Sequence, residues 1–221
     1  GFERQKEQEL TIQGKLESVL TAMPRSDREP VESFSAGRTD AGVHARGMCC
    51  NVFLDTDLTE EEIQDYCNQY LPEDIGVNSV KKAGERFHAR YLATGKIYRY
   101  SCHIGKNKEV FERKYLYHLE EEPDIEAMQK AASYLIGEKD FKSFCGNPKM
   151  KKSTIRSISS IRIQKSQNLL RFYFEGSGFL QYQIRIMVGT LLEVGYNKRK
   201  ATDIPSIIEA KDRQKAGYTV P

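Results

Sequence analysis

A chain of 221 residues with 39% hydrophobic and 29% charged side chains can bury a core as one large unit or two small ones. It contains no apolar run near the roughly 20 residues that a helical bilayer span requires, so no membrane segment is expected. A net charge of +3 is too small to name a partner, and five cysteines (Cys49, Cys50, Cys67, Cys102, Cys145) without a CxxC pair or a regular disulfide spacing suit a reducing cytoplasm.

Thr11 to Met23 places Ile12, Leu16, Val19, Leu20 and Met23 at a helical period that Pro24 ends. A turn-like stretch follows to Pro30, then Val31 to Ala36 reads as a short strand entering a glycine-flanked loop, Gly37 to Gly42. A second strand is expected over Val43 to Leu54. Thr59 and Glu62 form a capping-box pattern before a helix whose apolar face is Ile63, Tyr66, Cys67 and Tyr70 and which Leu71-Pro72 closes. Ile75 to Lys82 suits another strand.

Ile97 to Ile104 is aromatic and β-branched, hence a strand, with Tyr98 and Tyr100 on one side of it. Pro123 opens a helix with Ile125, Met128, Ala132 and Leu135 on its apolar face and Gly137 placed to stop it. Ser153 to Ile163 and Leu169 to Glu175 read as paired strands. Phe179 to Val194 then carries Leu180, Ile184, Met187 and Leu191 at a helical period, and a last helix begins near Asp203 and Pro205. Strands and helices mix in two batches that divide near Ala83 to Arg90, which predicts an α+β fold with two sheet-bearing halves, residues 1–84 and 85–221. The echo between His44-Ala45-Arg46 and His88-Ala89-Arg90 is too brief to make a repeat.

Several polar features ask for an explanation. Asp40 lies in the glycine loop, where it either forms an Asx-turn or approaches a ligand; Arg38 beside it is either solvated or reaches a phosphate. Arg185 interrupts the apolar run Gln181-Tyr182-Gln183-Ile184-Arg185-Ile186-Met187-Val188, so it either pairs with a carboxylate or snorkels to water. Tyr98 is either packing or site lining. From Lys139 to Lys165 eight basic residues, among them Lys149, Lys151 and Lys152, face one acid, Asp140, which makes either a phosphate-attracting surface or a solvated loop. The four histidines (His44, His88, His103, His118) show no HExxH or paired Cys/His spacing, and no Walker loop or GxGxxG fingerprint occurs, so neither a metal nor a nucleotide cofactor is implied.

The run Gly37-Arg38-Thr39-Asp40-Ala41-Gly42-Val43-His44-Ala45 resembles the active-site motif of the TruA family of tRNA pseudouridine synthases. Further matches follow in the family's order: Leu71-Pro72-Glu73-Asp74-Ile75, Phe87-His88-Ala89-Arg90, Tyr98-Arg99-Tyr100, Asp140-Phe141, and Gly178-Phe179-Leu180 leading to Arg185 and Val188-Gly189-Thr190-Leu191. Nearly the whole chain is covered. The resemblance implies two ferredoxin-like (RRM-like) halves with mixed, largely antiparallel sheets joined across a central catalytic cleft. It implies an isomerase that detaches uracil from its ribose, turns it and rejoins it through carbon, at positions 38, 39 and/or 40 of the tRNA anticodon stem-loop, with no cofactor. Asp40 resembles the catalytic aspartate, Tyr98 the tyrosine that packs on the flipped-out base, and Arg185 the arginine that pairs with that aspartate. The carboxylate of Asp40 would attack the ribose or the base, or assist elimination. Arg38 corresponds to the loop arginine that fills the space left by the base, and a homodimer is implied whose tRNA touches both subunits. On this reading Lys149, Lys151 and Lys152 become candidate tRNA contacts.

Tyr182-Gln183 stands where the family more often has His-Met. Because the family normally has a strand before Gly1-Phe2 and another after the Ala216-Gly217-Tyr218-Thr219 run, a longer natural chain is expected. Two other readings compete: a non-catalytic RNA-binding or chaperone module of the same fold, which would not need Asp40, and a glycoside hydrolase, for which no motif supplies a second carboxylate.

Overall fold

The computed structural model describes residues 1–4, 10–26 and 29–221. The chain forms two compact units, Gly1–Ala93 and Thr94–Pro221. It is a mixed α+β protein with a two-stranded sheet and a five-stranded mixed sheet. No helix of the described residues is long and apolar enough to cross a membrane.

In the first unit the helical period at 11–23 becomes α1 (Ile12–Ala22), whose cap Thr11 accepts a hydrogen bond from the Gly14 amide. Strand β1 (Ser33–Ser35) pairs antiparallel with β2 (Cys50–Val52), and α2 (Glu60–Tyr70) starts on a capping box in which the Thr59 hydroxyl and the Glu62 carboxylate each take an amide of the other residue. The Thr59 amide foremost, and then the Thr59 hydroxyl donating to the same carboxylate oxygen (2.9 Å), hold the Glu62 carboxyl below its usual range. Leu16, Leu20, Met23, Val31, Ile63, Cys67 and Leu71 close into one core, with Val52, Leu54, Ile75, Val77 and Val80 packed on its margin.

Two strand expectations fail in this unit. Residues 43–49 are irregular, so the second strand is only three residues long. Residues 75–82 form no strand, because α2 supplies side-chain partners where a neighbouring strand would have supplied backbone. The Asn68 carboxamide accepts from the Val77 amide (2.7 Å) and donates to its carbonyl (2.9 Å), Gln64 donates to the Asn78 carbonyl, and Glu60 accepts from the Lys82 amide. Backbone polarity is thus answered without a ladder.

The second unit orders its sheet β4-β3-β7-β6-β5, from β3 (Lys96–Ile104), β4 (Tyr117–Leu119), β5 (Gly137–Asp140), β6 (Ile155–Ser166) and β7 (Leu169–Gly176). Only β3 and β4 run parallel. Register sorts the side chains: Tyr98, Tyr100 and Cys102 on β3 pair with Phe174, Phe172 and Leu170 on β7, and of these Cys102, Leu170, Phe172 and Phe174 lie in the core with Tyr100 packed against it. Helices α3 (Ile125–Ser133), α4 (Gln183–Gly195) and α5 (Ile204–Ala210) all add to that same core, through Met128 and Ala132, Ile186, Met187 and Leu191, and Ile204 and Ile207. Each fully buried Met, Leu or Phe contributes about 1.5–3 kcal/mol relative to exposure. Strands β4 and β5 were not expected. Helix α4 starts at Gln183, four residues later than its period suggested, since Tyr182 adopts a left-handed conformation and stops the helix from extending backwards.

The side-chain substitute for the missing strand is testable. Asn68→Ala removes both bonds to Val77, which lie at the surface where water replaces them in part, and should lower stability by about 0.5–1.5 kcal/mol. Asn68→Asp keeps the acceptor and should lose less. Urea midpoints measure both, and an unchanged midpoint for Asn68→Ala would contradict the account.

Candidate active site

Asp40 lies in the loop of residues 36–49 that joins β1 to β2. The Ala36 amide closes its base on the Cys49 carbonyl (2.8 Å), and the Phe2 amide holds its middle through the Thr39 carbonyl (3.1 Å). Phe2 is buried and its own carbonyl receives the Gln13 amide, so α1 supports the loop from below. The Val43 amide donates to the Asp40 carbonyl (3.2 Å), making a tight turn in which Gly42 has φ +80°. A left-handed residue at that place favours glycine. The turn is therefore made by the backbone, and it is not an Asx-turn. Among the described residues of this unit the Asp40 carboxylate has no hydrogen-bond or ion-pair partner.

Glu17 is the opposite case. Buried on α1, it accepts from the Ser33 amide and hydroxyl (both 2.9 Å) and the Gln13 amide group (2.9 Å), and faces Arg4 at 3.4 Å. Its lone pairs are used in fixing the start of β1. Arg38 points out of the Asp40 loop into an exposed pair with Glu3 (3.0 Å), a contact weak enough to exchange for a phosphate.

In the second unit, Tyr98 sits half-buried on β3 with its ring edge-on to Phe179 at 5.3 Å. Phe179 belongs to the turn that enters α4. There Gln183 accepts from the Leu180 amide (2.7 Å) while its amide nitrogen is buried without a partner among the described residues. Arg185 occupies the first turn of α4. Its Nε donates to the Val220 carbonyl at 2.6 Å, and its guanidinium lies over the Tyr182 ring, 4.9 Å from the centroid. Within this unit its Nη nitrogens have no hydrogen-bond partner among the described residues.

The C-terminal segment that carries Val220 is held against α4 along its length. The Gly217 amide donates to Thr190 Oγ1 (2.9 Å), the Val220 amide to the Arg185 carbonyl (3.3 Å), and Arg213 donates to the Gly217 carbonyl and the Thr219 hydroxyl (2.9 Å each). The Tyr100 hydroxyl donates to the Pro221 carbonyl (2.8 Å); burial, foremost, pushes that phenol well above its usual range, so it stays a neutral donor.

Lys149, Lys151 and Lys152 are exposed on the connection between a one-turn helix (Lys142–Phe144) and β6. Asp140 clamps the base of this connection, accepting from the Thr154 hydroxyl, Lys211 (2.9 Å) and the Lys142 amide (3.2 Å). The Thr154 hydroxyl, then Lys211, holds its carboxyl below the usual range. The Gly146 amide bonds the Gln181 carbonyl (2.8 Å), which brings the lysine loop to the entrance of α4. Not all of the basic stretch is available: Lys165 is paired with Glu122.

The candidates thus fall into two groups. Asp40 and Arg38 share a loop of the first unit, while Tyr98, Arg185 and the lysine loop gather around the start of α4 in the second. Three participants escaped the sequence reading as site residues: Tyr182, Gln183 and the Val220 carbonyl. The departure at Tyr182-Gln183 was the only signal, and a main-chain carbonyl gives none.

A family model described as tRNA pseudouridine synthase matches residues 1–92 and 131–221. The chain is similar to tRNA pseudouridine synthase A of Bacillus sp. (strain KSM-64), 41% identical over 218 residues, covering 99% of this chain and 88% of the relative. It is 42% identical over 221 residues to tRNA pseudouridine synthase A 1 of Clostridium tetani, covering 100% of this chain and 89% of that protein. For tRNA pseudouridine synthase A of Clostridium kluyveri the identity is 39% over 212 residues, with 96% and 86% covered.

The packing of the C-terminal segment gives the second test. A Cβ on Gly189 would lie 1.9 Å from the Tyr218 carbonyl oxygen, which is backbone and cannot swing aside. Alanine improves helix propensity by up to about 1 kcal/mol, but overpacking of this kind costs about 1–3 kcal/mol. Gly189→Ala should therefore unfold at lower urea than the parent. An equal or higher midpoint would show that the segment is not seated as described.

Proposed function

The chain belongs to the tRNA pseudouridine synthase family, and we propose that it isomerises uridine to pseudouridine in the anticodon stem-loop of tRNA, at positions 38, 39 and/or 40, with Asp40 as its catalytic carboxylate. The observation that carries this reading is the Asp40 loop: glycine permits the turn, backbone makes it, and the carboxylate is left uncommitted within its unit. A buried or half-buried acid usually has its lone pairs answered, as Glu17 does.

The reaction breaks the bond from ribose C1′ to uracil N1 and forms one from C1′ to C5. The C5 hydrogen leaves as a proton and N1 ends protonated, so atoms and electrons balance without a cofactor. A paired or stacked uridine hides both bonds, so the nucleotide leaves the stack before reacting. Tyr98, braced edge-on by Phe179, supplies a face for the flipped base. Arg185, with Nε fixed on Val220 and its ring-stacked guanidinium still offering Nη donors, pairs with the Asp40 carboxylate and keeps it ionised and aimed. Arg38 gives up Glu3 to enter the gap left by the base, and Lys149, Lys151 and Lys152 take tRNA phosphates. Family resemblance supports a homodimer in the cytoplasm whose tRNA touches both subunits.

Two substitutions test the roles. Asp40→Asn keeps the shape and removes the charge, so conversion should vanish while tRNA affinity changes little. Retained turnover would sink the mechanism, and a wild-type protein that binds tRNA without converting it would favour a binding module. Arg185→Met should lower turnover far more than affinity, and part of the loss should return at higher pH, because a guanidinium favours the ionised form of a neighbouring carboxylate. Lysine there should rescue only partly, since a point charge lacks the planar fork. A loss expressed in affinity alone would remove Arg185 from the chemistry.

A further inference from the structure

The five-stranded sheet has a second face that its own helices leave open. Side chains alternate along a strand, and since Cys102, Leu170, Phe172 and Phe174 join the core under α3, α4 and α5 with Tyr100 packed against them, their neighbours point the other way. The register lays these neighbours out in rows across the strands. Arg99 on β3, Tyr173 on β7 and Arg162 on β6 form one row; Ser101, Arg171 and Gln164 form the next; His103, Leu169 and Ser166 the third, with His118 of β4 beside His103. Three arginines and two histidines thus stand in three consecutive rows that contain no carboxylate. Within the strands, the acids of this face, Glu175 and Glu138, lie beyond one end of the rows.

Arg99 and Arg162 are exposed, and Arg171 and Tyr173 are half-exposed. The Arg162 guanidinium lies over the Tyr173 ring, 5.4 Å from its centroid, and the His103 and His118 rings stack at 6.0 Å with only 19° between their planes. The surface therefore combines fixed cations with flat π-systems held by regular strands. Guanidinium and aromatic planes on a sheet are what unpaired bases stack on, and arginines spread over adjacent strands match the phosphates of the same chain. A second copy of this face is a poor occupant, because it would set arginine against arginine without intervening acids.

We propose that this open sheet face is a second nucleic-acid contact surface, distinct from the lysine loop and from the start of α4, which binds a phosphate-and-base segment of tRNA through Arg99, Arg162 and Arg171. It rests on the reading that tRNA is the substrate. The surface adds affinity and orientation and takes no part in the reaction at Asp40.

The test is binding of fluorescently labelled unmodified tRNA to the full chain over a series of salt concentrations, alongside the Arg99→Ala, Arg162→Ala, Arg171→Ala triple variant. All three side chains leave the face without opening the core, and a urea midpoint near the parent's verifies that. A less drastic Arg162→Gln, Arg171→Gln variant replaces the triple if it does not fold. Each lost phosphate contact should lower the slope of log affinity against log salt by a fraction of a unit to about one unit, so the triple variant should lose about two. Conversion at saturating tRNA should be unchanged. An unchanged slope and affinity overturns the proposal, as does a variant whose only difference is its oligomeric state in sedimentation, which would assign the face to a second copy. A wild-type protein that holds no tRNA overturns it as well. If instead the slope falls as expected while neither protein makes pseudouridine, the surface stands and the catalytic reading fails.

Discussion

The close approach of residues 216–220 to α4 is the constraint on which the second unit's candidate site depends. The two backbones meet where Gly189 has no side chain, at a distance that a single Cβ would forbid. That seat puts the Val220 carbonyl within 2.6 Å of Arg185 Nε. A guanidinium is planar, so fixing Nε and stacking the plane on Tyr182 fixes the direction of both Nη groups at once. Thr190 and Arg213 tie the rest of the segment, and the neutral Tyr100 hydroxyl holds its end. An arginine in an apolar helix is costly unless its polarity is answered. Here the answer is partial, one edge bound to backbone and the other without a hydrogen-bond partner among the described residues of this unit.

The first unit shows the same contrast between committed and uncommitted charge. Glu17 and Asp40 lie at either end of the β1 strand's surroundings, yet only Glu17 has its oxygens engaged by amide, hydroxyl and cation. It is structural. The Asp40 loop obtains its rigidity from Phe2, Cys49 and the Gly42 turn, which leaves the acid free of any structural duty. Loops positioned by a rigid scaffold commonly carry reactive groups for this reason.

Much of this fold can be read where the cause is local. Thr59 with Glu62 caps the helix that its pattern suggests, and the runs at 153–163 and 169–175 become the paired strands β6 and β7, with the aromatic and β-branched run at 97–104 as β3 beside β7. Errors arise where a partner is remote or unusual. Strands β4 and β5 are short and owe their existence to β3 and β6, and residues 75–82 look like a strand but receive side chains of α2 instead of a ladder. Residue chemistry singled out Asp40, Tyr98 and Arg185 but left each between a functional and a bland reading, and only the family resemblance, through the Gly37 to Ala45 run, Tyr98-Arg99-Tyr100 and the run from Gly178 to Arg185, favours the functional one. For Asp40 the geometry adds what the residues could not, since it excludes the Asx-turn. The Val220 carbonyl was out of reach altogether, because every residue has a main-chain carbonyl and nothing in the residue pattern marks this one.

The central claim is that this chain converts uridine to pseudouridine in the anticodon arm. Mapping pseudouridine across bulk unmodified tRNA, before and after incubation with the protein, tests it most directly. The account predicts new pseudouridine confined to the 3′ side of the anticodon stem-loop, at positions 38, 39 and/or 40. A map that does not change on incubation, or that changes only outside that arm, would contradict it.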